Sequence, residues 1–113
     1  FTICVMHHVP ATQWQQFSSE MRRILKPGGL AVVFEHNPFN PLTRRIVTDC
    51  VFDRNAVLLR PAKTKELLSG AGFSDVTARH ILTIPAANRL LRTVDRAFSL
   101  LPVGAQYYVK ATA

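Results

Sequence analysis

The chain of 113 residues is poor in long apolar runs, in cysteine and in acidic side chains. Its longest unbroken apolar run, Leu30 to Phe34, is far shorter than the roughly 20 residues that a membrane-spanning helix needs. No charged start followed by an apolar core marks a secretory signal at the N-terminus. These absences predict a soluble, cytoplasmic protein with no membrane span.

The two cysteines, Cys4 and Cys50, lie far apart among apolar neighbours. Neither belongs to a CxxC spacing of the kind that binds zinc or carries redox chemistry. Thiols that act as small hydrophobic side chains in a reducing compartment are therefore the simpler prediction.

Acidic residues number only 7 against 14 lysines and arginines, which gives a net charge of +7 and a pI near 10.3. Such an excess permits contact with nucleic acid or with an anionic membrane. The arginines are dispersed along the chain rather than clustered, which favours a solvated basic surface. We therefore favour a protein without a nucleic-acid partner, and a nucleic-acid binder stays as an alternative.

The first third of the chain reads as strand, helix and strand. Phe1 to Met6 and Leu30 to Phe34 are apolar runs without alternation, typical of parallel strands that are buried on both faces. Between them, apolar residues at helical spacing predict a helix from Thr12 to Lys26, with Thr12 and Gln15 at the spacing of a capping box. So short a unit makes the two strands parallel neighbours in one sheet.

The remaining elements follow from turn residues and periodicity. Asn40 and Pro41 have the residue types of a helix cap and first turn. The other patterns predict a helix over Ala62 to Ser69, a strand over Val76 to Ile84, an apolar helical stripe over Ala86 to Leu101, and a final strand over Ala105 to Thr112.

Two glycine turns, at Gly28-Gly29 and at Gly70 to Gly72, resemble phosphate-binding loops in composition only. A phosphate loop follows a strand and opens a helix, so that the helix N-terminus meets the anion. Here each glycine turn follows a helix and precedes a strand. Both are therefore predicted to be helix ends, with a glycine in the left-handed conformation.

Polar side chains follow the first two strands at the edge where open α/β sheets bind ligands. The first strand leads to His7 and His8, and the second leads to Glu35, His36 and Asn37. A histidine could accept a proton from an acceptor group, with Glu35 orienting it or acting as the base itself. Alternatively, one histidine of the pair only caps a strand end. A metal site of His7 or His8, Glu35 and His36 is disfavoured, because adjacent side chains on an extended segment point apart, and no metal is predicted.

Four stretches together resemble a known family. They are FTICVMHHVP, RRILKPGGLAVVFEHNP, TKELLSGAGFSDV and AQYYVKATA, and they resemble the C-terminal half of class I S-adenosylmethionine-dependent methyltransferases. The resemblance covers essentially all of the chain. It implies an α/β, three-layer Rossmann-like fold in which residues 1–113 form a single partial domain, with strands that match the fourth to seventh of the family and an antiparallel last strand.

The same resemblance implies roles for individual residues. Met6, His7 and His8 would lie near the methionine part of S-adenosylmethionine, and His7, Glu35 and His36 would serve catalysis. It also implies that Glu35, His36 and Asn37 face the acceptor pocket and that the segment from Asn40 to Leu59 forms a lid. The candidate acceptor-binding residues are Asn37, Asn40 and Arg44. The acceptor would be a small molecule or a lipid precursor.

One departure from the family is large. The acidic glycine-rich cofactor turn and the acidic residue that holds the ribose have no counterpart in this sequence. We therefore expect the chain to be a C-terminal portion that is inactive alone and that binds S-adenosylmethionine weakly or not at all. An exposed edge at Phe1 to Met6 would then need a cover. The expected partner is the missing N-terminal half or another copy, and the alternative function is a non-catalytic remnant or assembly subunit.

Overall fold

The computed structural model describes residues 1–81 and 103–113. The helical stripe predicted over Ala86 to Leu101 and the last residues of the strand predicted to reach Ile84 lie outside this part of the chain. None of the described helices is long and apolar enough to cross a membrane. The elements are β1 (Thr2–Ile3), α1 (Trp14–Ile24), β2 (Leu30–His36), α2 (Pro41–Asp49), α3 (Pro61–Gly70), β3 (Ser74–Ile81) and β4 (Gln106–Thr112).

The four described strands form one mixed sheet in the order β1-β2-β4-β3. Strand β1 runs parallel to β2, with Thr2 opposite Val33. Strand β4 lies between β2 and β3 and is antiparallel to both. The predicted strand-helix-strand unit and the antiparallel last strand are both confirmed.

Strand β1 is much shorter than predicted. It ends at Ile3, because Cys4 has a φ of 52°, in the left-handed region that residues other than glycine rarely adopt. The Cys4 amide still donates to the Phe34 carbonyl at 2.9 Å, but the chain then enters a 3₁₀ turn over Met6–His8. The two histidines therefore lie on a tight turn and not on an extended strand.

The prediction that the first two strands are buried on both faces is wrong for the described structure. Along β2 the buried side chains Ala31, Val33 and Glu35 alternate with partly exposed ones. In β1, Ile3 is 56% exposed. One face of the sheet therefore packs against the core, and Glu35 belongs to that face.

Helices α1 and α3 cover the buried face of the sheet. Trp14 anchors α1, since its indole Nε1–H donates to the carbonyls of Met6 at 3.0 Å and Val9 at 2.9 Å. The predicted capping box is wrong, because Thr12 lies in a 3₁₀ turn that precedes α1 and makes no side-chain cap. The buried apolar core comprises Met6, Trp14, Ala31, Val33, Leu59, Leu67, Leu68, Phe73, Tyr107, Val109 and Ala111.

The turns between elements agree with the sequence predictions. Gly28 has a φ of 78° and Gly72 a φ of 89°, so each takes the left-handed conformation after a helix. Asn40 caps α2, its side-chain oxygen accepting from the Thr43 amide at 3.0 Å, and Pro41 occupies the first turn. These local features need no long-range contact to form.

Gly104 lies where the chain enters β4, tight against the end of β3. A Cβ at this position would lie 2.5 Å from the Ile81 carbonyl oxygen and 2.8 Å from its carbonyl carbon. Since both are backbone atoms, we expect Gly104→Ala to lower the free energy of unfolding by about 2 kcal/mol, as other overpacking changes do. Urea denaturation followed by circular dichroism measures the change.

Gly70→Ala is the matched control for this substitution. The Cβ added at Gly70 would contact only the flexible Gln15 side chain, at 3.4 Å, and alanine favours the helix. We expect the control to be neutral or slightly stabilising. Equal urea midpoints for the two variants would show that the approach of Gly104 to β3 is not a tight contact.

Candidate functional site

The polar side chains predicted at the sheet edge do converge there. The turn that follows β1 carries His7 and His8, and the end of β2 carries Glu35 and His36. A further residue, Asp53, comes from a 3₁₀ turn that follows α2. The candidate site is therefore built from three separate segments of the chain.

Glu35 is fully buried and holds the turn that carries the histidines. Its Oε1 accepts hydrogen bonds from the backbone amides of Val5 at 3.2 Å and Met6 at 2.8 Å. Its Oε2 accepts from His7 Nδ1 at 2.5 Å. Three donors thus compensate for removing a carboxylate from water. The geometry gives Glu35 the role of orienting His7.

His7 is almost completely buried, and its two ring nitrogens face Glu35 and Asp53. Because Nδ1–H donates to Glu35, the neutral ring keeps a lone pair on Nε2, which lies 3.6 Å from Asp53 Oδ1. Burial, the largest influence, would lower the pKa of His7. The hydrogen bond and charge of Glu35, together with Asp53, outweigh it and raise that pKa. His7 is thus the basic group of the site.

Two other histidines of the site, His8 and His36, lie beside His7. The ring centroid of His8 lies 4.1 Å from that of His7, and the centroid of His36 lies 5.2 Å away. The His8 side chain is 45% exposed and places Nε2 3.3 Å from Asp53 Oδ1. Burial, followed by the charge of His7, lowers the pKa of His36 against the opposing charges of the carboxylates. This lowered pKa favours the neutral form of His36.

Long-range hydrogen bonds position Asp53. The Val57 amide, four residues further on, donates to the His7 carbonyl at 2.9 Å. The Leu59 carbonyl accepts from the buried Tyr107 hydroxyl at 2.9 Å. Sequence reasoning assigned Asp53 only to a turn. The chain has only 7 acidic residues against 14 lysines and arginines, and this imbalance was the available indication that Asp53 has a basic partner.

Three cavities are each lined by one residue of the site. His36 lines a mainly apolar cavity of about 190 Å³ together with Thr43, Ile46 and Val47. Asp53 lines a second, of about 270 Å³, and His8 lines a third, of about 550 Å³. Small molecules and water can therefore approach His8, His36 and Asp53.

The remaining predicted site residues have other partners in the structure. Met6 is buried in the core cluster. Asn37 is buried, with Nδ2 donating to the Gly104 carbonyl at 2.6 Å and Oδ1 accepting from the Phe39 amide at 3.0 Å. Besides capping α2, Asn40 donates from Nδ2 to the Val103 carbonyl at 2.9 Å. These contacts fasten the loop before β4, and the predicted binding roles of these residues stay predictions.

Arg44 is exposed on α2 and lines the same cavity as Asp53. Its predicted role in binding the acceptor likewise stays a prediction. Cys4 and Cys50 are free thiols. Burial, with the charges of Glu35 and Asp53, raises the pKa of Cys4 to about 11, so this thiol is protonated at neutral pH and is a poor nucleophile.

The fold is that of part of an S-adenosylmethionine-dependent methyltransferase. A methyltransferase of this class from Archaeoglobus fulgidus superposes with a TM-score of 0.70 at 15% identity, covering 99% of this chain and 57% of its own. One from Thermotoga maritima, described as a possible histamine N-methyltransferase, superposes with a TM-score of 0.61 at 19% identity, covering 87% of this chain and 48% of its own. The chain therefore spans about half the length of these structures. No family model and no curated protein matches its sequence.

Proposed function

We propose that this chain is the acceptor-side part of an S-adenosylmethionine-dependent methyltransferase that acts on a small molecule or a lipid precursor. The observation that carries the proposal is the His7–Glu35 pair. It lies at the carboxyl ends of two parallel strands, in a fold shared with methyltransferases. Ligands of open α/β sheets bind at this edge.

The residues of the site have separate roles in such a transfer. S-adenosylmethionine supplies an electrophilic methyl group, and the enzyme must align the acceptor with it. His7 Nε2 accepts the proton that an acceptor hydroxyl or amine loses, and Glu35 orients the ring and stabilises its cation. The apolar cavity beside His36 accommodates the carbon skeleton of the acceptor.

The described residues fit the cofactor only in part. They form a polar edge near which the methyl group could lie. The turns at Gly28 and Gly72 both follow helices and lead into strands, so neither presents a helix N-terminus to a nucleotide. We infer that residues outside this sequence, from the same polypeptide or from another chain, bind the nucleotide part.

Calorimetric titration with S-adenosylmethionine tests this proposal. We expect no binding, or weak binding, to this chain. We expect clear binding when the N-terminal half of a methyltransferase domain, fused to this chain or added as a separate chain, completes the domain. Binding to neither form would contradict the methyltransferase proposal. Tight binding to this chain alone would contradict the division of the cofactor site.

A second candidate function is assembly without catalysis, and the exposed apolar residues beside β1 favour it. Phe1 is 89% exposed, Ile3 56% and Val5 40%, and β1 is an edge of the sheet formed by the described strands. An exposed apolar edge strand can pair with a strand of another chain. A stable homodimer in sedimentation, together with no S-adenosylmethionine binding in calorimetry by either this chain or the completed domain, would favour this candidate over the enzyme.

A further inference from the structure

We propose that His7, His8 and Asp53 bind a divalent cation of the zinc class. One ring nitrogen of His7, one ring nitrogen of His8 and one Asp53 carboxylate oxygen all lie within 4.8 Å of one another. Two imidazoles and one carboxylate form the kind of ligand set that Zn²⁺ and its neighbours among the transition metals prefer. Three protein ligands leave a fourth tetrahedral position for water.

Two of the three separations between the protein ligands match a tetrahedral site closely. Zinc bonds to imidazole and carboxylate are about 2.0–2.2 Å long, so two ligand atoms of a tetrahedron are about 3.4 Å apart. Asp53 Oδ1 lies 3.6 Å from His7 Nε2 and 3.3 Å from His8 Nε2. The third separation, between the two histidine nitrogens, is within 4.8 Å. A small movement of the His8 side chain, which is 45% exposed, would shorten it to the tetrahedral value.

The ring of His7 is already held in the orientation that metal binding requires. A metal-bound histidine usually donates its other N–H to a carboxylate or carbonyl group, which fixes the tautomer and makes the ligand more basic. His7 donates from Nδ1 to the buried Glu35, so Nε2 is the atom directed at Asp53. The surrounding structure therefore supplies the outer hydrogen bond as well as the three ligands.

The turn after β1 removes the sequence argument against two adjacent histidine ligands. That argument assumed an extended segment, in which neighbouring side chains point apart. The left-handed Cys4 and the 3₁₀ turn over Met6–His8 instead bring the two rings to a centroid separation of 4.1 Å. The cavities lined by His8 and by Asp53 give a cation and its water ligand a path to the site.

This proposal does not rest on the proposed methyl transfer. A cation on His7 Nε2 occupies the lone pair that would accept a proton from the acceptor, so the two roles exclude each other while the cation is bound. A binding measurement without S-adenosylmethionine separates the proposals. Failure of methyl transfer would leave the metal site standing, and failure of metal binding would leave the base available.

Titration with Co²⁺, a visible-light probe for zinc sites, tests the proposal on the purified chain. We expect one equivalent to bind, with the intense visible absorption of a four-coordinate ion, and Zn²⁺ to displace it. Asp53→Asn replaces the charged carboxylate by a weaker, neutral amide ligand, and His8→Ala removes one imidazole. We expect each to weaken Co²⁺ binding by at least about 10-fold. Asp49→Asn, an exposed carboxylate on α2, is the matched control and should bind Co²⁺ as the unaltered chain does.

Circular dichroism of each variant confirms that it remains folded, and Asp53→Asn preserves the size of the side chain if His8→Ala disturbs the turn. Two results would overturn the proposal. One is that the folded, unaltered chain binds Co²⁺ only at millimolar concentration or not at all. The other is that Asp53→Asn and His8→Ala, both folded, bind as tightly as the unaltered chain.

Discussion

Replacement of His7 by glutamine is expected to lower the rate of methyl transfer by about 100-fold or more, in the range that loss of a general base causes. An amide nitrogen can still donate to Glu35, but an amide has no atom basic enough to accept the proton of an acceptor. S-adenosylmethionine affinity should change little, because the proposed role of His7 concerns the acceptor. Turnover with saturating cofactor and calorimetric affinity, both measured in the cofactor-binding form, separate the two effects.

His80→Gln is the matched control for this prediction. His80 lies on β3, where it pairs with Tyr107 of β4, away from the turn that carries His7. We expect the control to retain full turnover. Unchanged turnover in His7→Gln would remove His7 from catalysis, and a parallel loss of cofactor affinity and turnover would assign it to cofactor binding instead.

Replacement of Glu35 by alanine should lower the free energy of unfolding by about 3 kcal/mol or more. Glu35 is fully buried and accepts hydrogen bonds from two backbone amides and from His7. Alanine leaves the buried donors of Met6 and His7 without their acceptor, and each such loss costs about 1–3 kcal/mol. The Val5 amide, which is partly buried, also loses its acceptor. Urea denaturation measures the change, and the loss is expected in the absence of any ligand.

Glu20→Ala provides the comparison with an exposed carboxylate. Glu20 accepts from Arg23 at 2.8 Å, but both side chains are more than half exposed. Such surface pairs contribute about 0–1 kcal/mol. If Glu35→Ala were as mild as Glu20→Ala, the turn over Met6–His8 would not depend on the buried carboxylate, and the orienting role of Glu35 would be wrong.

Sequence patterns predicted the parts of the fold that depend on neighbouring residues. The turn at Gly28 and the cap at Asn40 follow from local backbone chemistry, and the parallel pairing of β1 with β2 follows from a short connection. The capping box at Thr12 failed although its spacing was right, because the chain enters α1 through a 3₁₀ turn.

The candidate site was only half predictable for the same physical reason. Glu35 and His7 were identified because each follows an apolar strand. Asp53 was missed because only contacts far apart in sequence, such as the bond from Val57 to His7, bring it to the edge. Asn37 has a polar side chain at the right position, yet its amide hydrogen-bonds to a loop 67 residues away. No local pattern records such partners.

The left-handed backbone at Cys4 makes the architecture of the site sensitive to the kind of residue at one position. Glycine or asparagine could keep the corner with little strain, whereas valine or isoleucine would favour continuing the strand. A continued strand would send the side chains of His7 and His8 to opposite faces of the sheet. The residue at position 4 has no reactive role of its own, yet its backbone conformation decides whether the side chains of His7 and His8 lie side by side.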